Sequence, residues 1–252
     1  NIHAERLSLP ARLMVTCLAG AESDDAVVSQ ALSYLRAWDC RMDREDVAPS
    51  IYAEMRSHLT ILVSRSVFGE KADELLSGIA GADGHVRFVA LAVNVAIEKN
   101  DTSLLPDAMG WRDALLTSLS NACESLTEIL GSEMSEWFWG RLHRTRPIHP
   151  LAQTFPEAAD LLNPPTYAVH GDGDTPLAGS FGIHSRYTVS GLSVNRYIHD
   201  PSNWSNSKWI VPLGASGHPG SPHYADQAEL HSNVAFIPQL WDSVLRTHCW
   251  QR

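Results

Sequence analysis

With 252 residues, 44% of them hydrophobic, the chain can bury a sizeable core as one large domain or two small ones. Its 19 Lys and Arg against 29 Asp and Glu leave a net charge of −10, which repels phosphate backbones and anionic membrane surfaces and excludes nucleic acid as an expected partner. No apolar run approaches the roughly 20 residues needed to span a bilayer, so no membrane span is expected either.

The opening residues, NIHAERLSLPARLMV, carry no initiator methionine and no basic region followed by an apolar core. We read them as an internal piece of something longer. From residue 1 to about 131 the pattern is helical. Leu7, Leu9, Leu13, Met14 and Cys17 recur at near-helical spacing, and Ser23, Asp24 and Asp25 then offer an N-cap before a helix over 26–38. Val27, Ala31, Tyr34, Leu35 and Trp38 make its predicted apolar face. A third helix is predicted over 47–67, with Ile51, Met55, Leu59, Leu62 and Val63 in register and Arg56, His58 and Arg65 on the wet side. The run GIAGADG at 78–84 breaks the pattern before helices over 86–97 and 111–130, so about five helices are expected in this half.

After Gly131 the texture changes to glycine, proline, serine, asparagine and histidine. Short runs at 167–169, 187–189 and 209–211 read as strands between turns. A mainly helical part (1–131) followed by a strand- and loop-rich part (132–252) predicts an α+β fold, its helices packed on one face or end of a mainly antiparallel sheet. There is no obvious linker, repeat or low-complexity tract, and one continuous unit over 1–252 is expected.

Chemistry is sparsely signalled. Cys17, Cys40, Cys123 and Cys249 show no C-x-x-C, so neither a zinc site nor a disulfide framework follows. The closest histidine pairs, His143 with His149 and His218 with His223, lack the further ligands a metal needs, and no metal or other cofactor is expected. Asp172 and Asp174 in HGDGDTP suggest a fragment of a calcium loop, but no terminal bidentate Glu follows, and a polar turn is the better reading. Trp137, Trp139, Trp204, Trp209, Trp241 and Trp250 cluster in the second half and read as core rather than pocket.

Residues 209–227, WIVPLGASGHPGSPHYADQ, read as a strand running into a rigid loop, because glycine supplies positive φ and proline fixes φ near −65°. Gly214, Gly217, Gly220, Pro219 and Pro222 are expected to hold the turn, with His223, Tyr224 and Asp226 tying it to the rest. Gly217→Val or Asp226→Ala is therefore expected to impair folding or chain assembly, seen as lost soluble yield. Around Ser216 the sequence approaches G-x-S-x-G, yet His218 and Pro219 replace the last glycine and the helix start. Ser216, with His218 or His223, is thus a weak catalytic candidate.

Three segments together resemble the penicillin acylase family of N-terminal-nucleophile amidases: LRAWDCRMDREDVAPSIY (35–52), WFWGRLHRTRPIHPL with the later HGDGDT (137–174), and LGASGHPGSPHYADQ (213–227). The signature residues the resemblance picks out are Trp139, Gly140, His143, His149, Gly214, Gly217, His223, Tyr224, Asp226 and Gln227. GLSVNRYIHD (191–200) resembles a further family strand but is slightly longer, which leaves its register open. The resemblance implies an αββα sandwich cut from a precursor into an α and a β chain. A serine freed at the start of the β chain is then the nucleophile and its own amine the base. It places this chain in the C-terminal part of the β chain. The nucleophile, the oxyanion-hole asparagine and the substrate-side arginine would then lie upstream, and the fragment alone would be inactive. The expected partners are the rest of the β chain, an α chain from the same precursor and a small-molecule amide; the implied location is periplasmic or extracellular, and calcium occurs in the family. The alternatives are a catalytically inactive binding or assembly module and an independent serine hydrolase using Ser216.

Overall fold

The computed structural model describes residues 4–76, 82–182 and 187–240. Its first helices begin where the chain offers a cap. The Ser8 hydroxyl accepts from the Ala11 N–H ahead of α1 (Leu9–Cys17), and the Asp25 carboxylate accepts from Val27 and Val28 N–H at 2.8 and 3.1 Å ahead of α2 (Ala26–Ala37). Each such cap contributes about 1 kcal/mol. α3 (Ala48–Phe68) carries Pro49 in its first turn, where a missing N–H costs nothing, and ends at Gly69 with φ +53°. α4 (Ala72–Leu76), α5 (Ala82–Glu98) and α6 (Trp111–Leu130) complete the helical half.

α3 is the central element, packed against α2, α4, α5, α6 and α7 (Trp139–Leu142). Of its predicted stripe, Ile51, Met55, Leu59 and Val63 are at most 1% exposed, and Leu62 is partly buried against the same core. Three details differ from the sequence reading. On α2 the buried face is Val28, Ala31, Leu32 and Leu35; the predicted Ala31 and Leu35 are on it, while Val27 is exposed. Arg56 does not face water but bonds inward to Asp174. The last residues of the predicted breaker already belong to α5, while 78–81 lie outside the described residues.

Among the described residues the second half holds α7, α8 (Pro150–Thr154), α9 (Ala159–Leu162), α10 (Ala228–Ser232) and five short strands. β1 (Gly179–Phe181) pairs antiparallel with β2 (Val189–Leu192). β3 (Arg196–Ile198), β4 (Lys208–Ile210) and β5 (Ile237–Pro238) form an antiparallel sheet in that order, with Arg196 opposite Ile210 and Trp209 opposite Ile237. The chain is α+β, with small antiparallel sheets. The strand predicted over 167–169 is only a single bridge between Ala168 and Arg144. The one predicted over 187–189 begins at Val189, since Tyr187 sits at φ +66° in the left-handed region and interrupts extension. The core lies among the helices, with Trp137, Trp139, Leu142 and Tyr187 of the second half built into it. Trp204, read as core, is half exposed; Trp241, Trp250 and Cys249 lie outside the described residues.

Candidate functional site

The first two resembling segments are folded onto each other. The loop entering α3 presents carbonyls to the start of α7: Trp139 N–H donates to Asp46 O at 2.9 Å and Gly140 N–H to Arg44 O at 2.8 Å. A side chain at Gly140 would place its Cβ 3.0 Å from that Arg44 oxygen and 3.1 Å from Ala168 Cβ, so this approach needs glycine. Trp139 is fully buried, donates its indole N–H to Gly171 O at 3.0 Å, and stacks on the His143 ring at 4.5 Å. His143 Nδ1 lies 3.1 Å from Tyr187 O and donates to it; burial pushes its pKa down to about 3, so the ring is neutral. Its Nε2 faces Gly179, where a Cβ would sit 2.7 Å away.

The HGDGDT turn closes the same cluster. Gly171 adopts φ +85°, and a Cβ there would lie 1.9 Å from Leu177 O. Asp172 Oδ1 accepts from Asp174 N–H at 2.7 Å, and Asp174 pairs with Arg56 of α3. The Asp172 carboxylate is thus engaged inside the turn and the Asp174 carboxylate ties the turn to α3. Burial pushes Asp172 up to about 6, opposed by the Arg56 charge and by backbone N–H groups.

The 209–227 stretch is tied by its second half rather than by glycine conformation. Gln227 N–H donates to Leu213 O at 2.8 Å, Val211 N–H donates to Gln227 Oε1 at 3.2 Å, and Ser216 N–H donates to His223 O at 3.0 Å. Tyr224 OH donates to Leu162 O at the end of α9. Neither Gly214, Gly217 nor Gly220 has positive φ, which corrects the expectation that they supply it. Only Gly214 is sterically required: a Cβ there would lie 2.2 Å from His223 O, whereas nothing lies within 4 Å at Gly217. His149 sits at the N-cap of α8, its Nδ1 accepting from Leu151 N–H.

Ser216, His218 and His223 are close in the loop but do not form a relay. Ser216 Oγ accepts from His218 N–H at 3.1 Å, and His218 Nδ1 accepts from Gly220 N–H at 3.0 Å. His223 Nδ1 meets Asp226 Oδ2 at 2.9 Å on the surface. Among the described residues no bond joins the Ser216 hydroxyl to either imidazole, so the general-base contact that would activate it is missing.

Two features were not visible in the sequence. Arg44 reaches across the fold: its guanidinium donates to Ser232 Oγ at 2.6 Å, to Ala168 O at 3.2 Å and to Asn233 Oδ1 at 2.7 Å, fastening α10 to the loop before α3. Beside it Asp43, Glu45 and His170 bring three ligand atoms within 4.8 Å of one another. Arg6 at 3.0 Å and Arg44 at 2.6 Å already neutralise these carboxylates, and His170 Nδ1 accepts from Arg44 N–H at 3.3 Å, so the donor set is a poor metal cage. The second feature is a cavity of about 370 Å³ where the signature segments meet. It lies between the 145–147 turn, Tyr167 and Val169, β2, Pro212 and Leu213, and α10. Five separated segments build it, and no local motif announces such a space.

Among the described residues this α+β chain presents braces and an apolar cavity, and Ser216, His218 and His223 form no catalytic relay. The chain matches the penicillin amidase family over residues 1–245. It belongs to that family. It is 36% identical over 247 residues to penicillin acylase 2 proenzyme of Pseudomonas sp. (strain SE83), covering 96% of this chain and 31% of that protein. It is 32% identical over 126 residues to the acyl-homoserine lactone acylase QuiP of Pseudomonas syringae pv. syringae (strain B728a), covering 46% of this chain and 14% of that one. Among solved structures it resembles the thermostable penicillin G acylase from Alcaligenes faecalis, at TM-score 0.47 and 17% identity, over 99% of this chain and 46% of that one. The chain thus spans under a third of the length of the curated relatives it matches. No described helix is long and apolar enough to cross a membrane.

Proposed function

We propose that this chain is the C-terminal part of a penicillin-acylase-like amidohydrolase, folded as one unit within an αββα sandwich. The enzyme hydrolyses an acyl amide, such as a β-lactam side chain or an acyl-homoserine lactone, to a carboxylic acid and an amine. Its nucleophilic serine precedes this chain, and the remainder of the β chain and an α chain from the same precursor are the partners. The chain itself walls and braces the site: α3 and the 43–46 loop hold α7, and Gln227 and Tyr224 hold the 209–227 loop. By the same family logic the protein acts in the periplasm or outside the cell.

The observation that carries this proposal is the family match over residues 1–245 combined with a Ser216 hydroxyl that, among the described residues, meets no imidazole. Amine release from acyl amides by the purified chain tests it, with a Ser216→Ala variant alongside. We expect no turnover from either. Turnover by the chain that disappears in Ser216→Ala would replace the proposal with an independent serine hydrolase.

A further inference from the structure

We infer that the cavity between β2 and α10 binds a small amphipathic monocarboxylate, a molecule with an apolar body and one anionic head. The cavity's 370 Å³ falls within the range of small-molecule sites. Its body is lined by Val169, Val189, Leu192, Val194, Pro212 and Leu213, which leaves an aliphatic or aryl chain as the matching filler.

The charges select the head group. In a chain with 29 acidic residues, none lines this cavity. Arg146 does, and it is exposed and forms no ion pair or hydrogen bond among the described residues. Thr145, Ser190, His231 and Ser232, which also line it, already make hydrogen bonds. Ser232 Oγ donates to Ala168 O at 2.6 Å and accepts from Arg44. His231 Nε2 donates to Ser193 O at 3.0 Å, and burial holds the ring's pKa down to about 4, so it adds no charge at neutral pH. Behind it Arg196 is 2% exposed and donates to His231 O at 2.6 Å, while its Nε and Nη1 have no partner. Glu229 of α10 acts on the Tyr167 hydroxyl from outside the lining. Two guanidiniums without a carboxylate partner, one at the cavity and one behind it, give the site a positive potential in an otherwise acidic protein. A carboxylate meets a guanidinium through paired charge-assisted hydrogen bonds, a neutral amide forgoes them, and an ammonium is repelled.

This inference stands on the lining alone, so it survives or fails apart from the hydrolase proposal. The test is calorimetric titration of the purified protein with octanoate, octanamide and octylamine, repeated on Arg146→Ala and Val194→Asp. Both positions are solvent-exposed, so both variants retain the fold. We expect one saturable octanoate site per chain, with octanamide and octylamine at least about ten-fold weaker. Arg146→Ala should bring octanoate down to the octanamide level, and Val194→Asp should weaken octanoate while sparing octanamide. Absence of saturable octanoate binding, equal affinity for octanamide, or unchanged octanoate binding in Arg146→Ala would overturn the assignment.

Discussion

Asp172→Asn should change how stability depends on pH, and by an amount the structure sets. Asp172 is 2% exposed, and burial raises its pKa from the ordinary 3.8 to about 6 despite Arg56 nearby. The folded state therefore holds this proton more tightly than the unfolded chain does. Its stabilising contribution is fully present below about pH 4 and is lost as pH rises through about 6. The difference corresponds to about 3 kcal/mol, at roughly 1.4 kcal/mol for each tenfold change in proton affinity. Asparagine keeps an oxygen to accept the Asp174 N–H and cannot ionise, so it mimics the protonated carboxyl at every pH. Urea unfolding of both proteins between pH 4 and pH 7 reads this directly. The stability of Asp172→Asn relative to the parent should grow by about 2 kcal/mol across that window. Taking the difference cancels the groups that act oppositely, such as Asp43, whose pKa is lowered by the neighbouring His170 ring and the Arg6 charge. A gap that stays constant with pH would refute the reasoning.

Further outcomes follow from packing. Gly214→Val drives a Cβ into the His223 carbonyl and should cost about 1–3 kcal/mol, seen as lost soluble yield and a lowered Tm, whereas Gly217→Val should leave both unchanged. Trp139→Ala should destabilise by about 3–5 kcal/mol in denaturant titration, since the fully buried ring fills the joint between α3 and the His143 cluster. Asp226→Ala removes a surface pair with His223 and should cost no more than about 1 kcal/mol, so a collapse in soluble yield would show that the loop depends on it.

How much of this was legible differs from element to element. The Asp25 cap and the Ile51 to Val63 stripe were readable because both are local: a side-chain acceptor beside orphan N–H groups, and an apolar period of 3.6. The burial of Val28 instead of Val27 was not, since a stripe wide enough to include either residue does not fix the phase. Arg56 was read as wet because its carboxylate partner lies 118 positions away. The strand predicted over 187–189 failed at Tyr187, a residue with high β-propensity placed at positive φ, where its ring closes the cluster of Trp139 and Phe181. Nothing local marks Gly214 out from Gly217; the carbonyl that makes one essential comes from nine residues downstream. The cavity beside Arg146 and the Arg44 fastening are likewise products of distant segments meeting.

Under the proposed function this chain contributes structure, and not the nucleophile, to an acylase of its family. The most direct measurement combines the purified chain with the remainder of its precursor and follows amine release from an acyl amide, with each part also assayed alone. Turnover should appear only in the assembled protein, vanish when the serine that opens the β chain is replaced by alanine, and persist in Ser216→Ala. Turnover by the 252-residue chain alone, or loss of the assembled activity in Ser216→Ala with assembly intact, would contradict it.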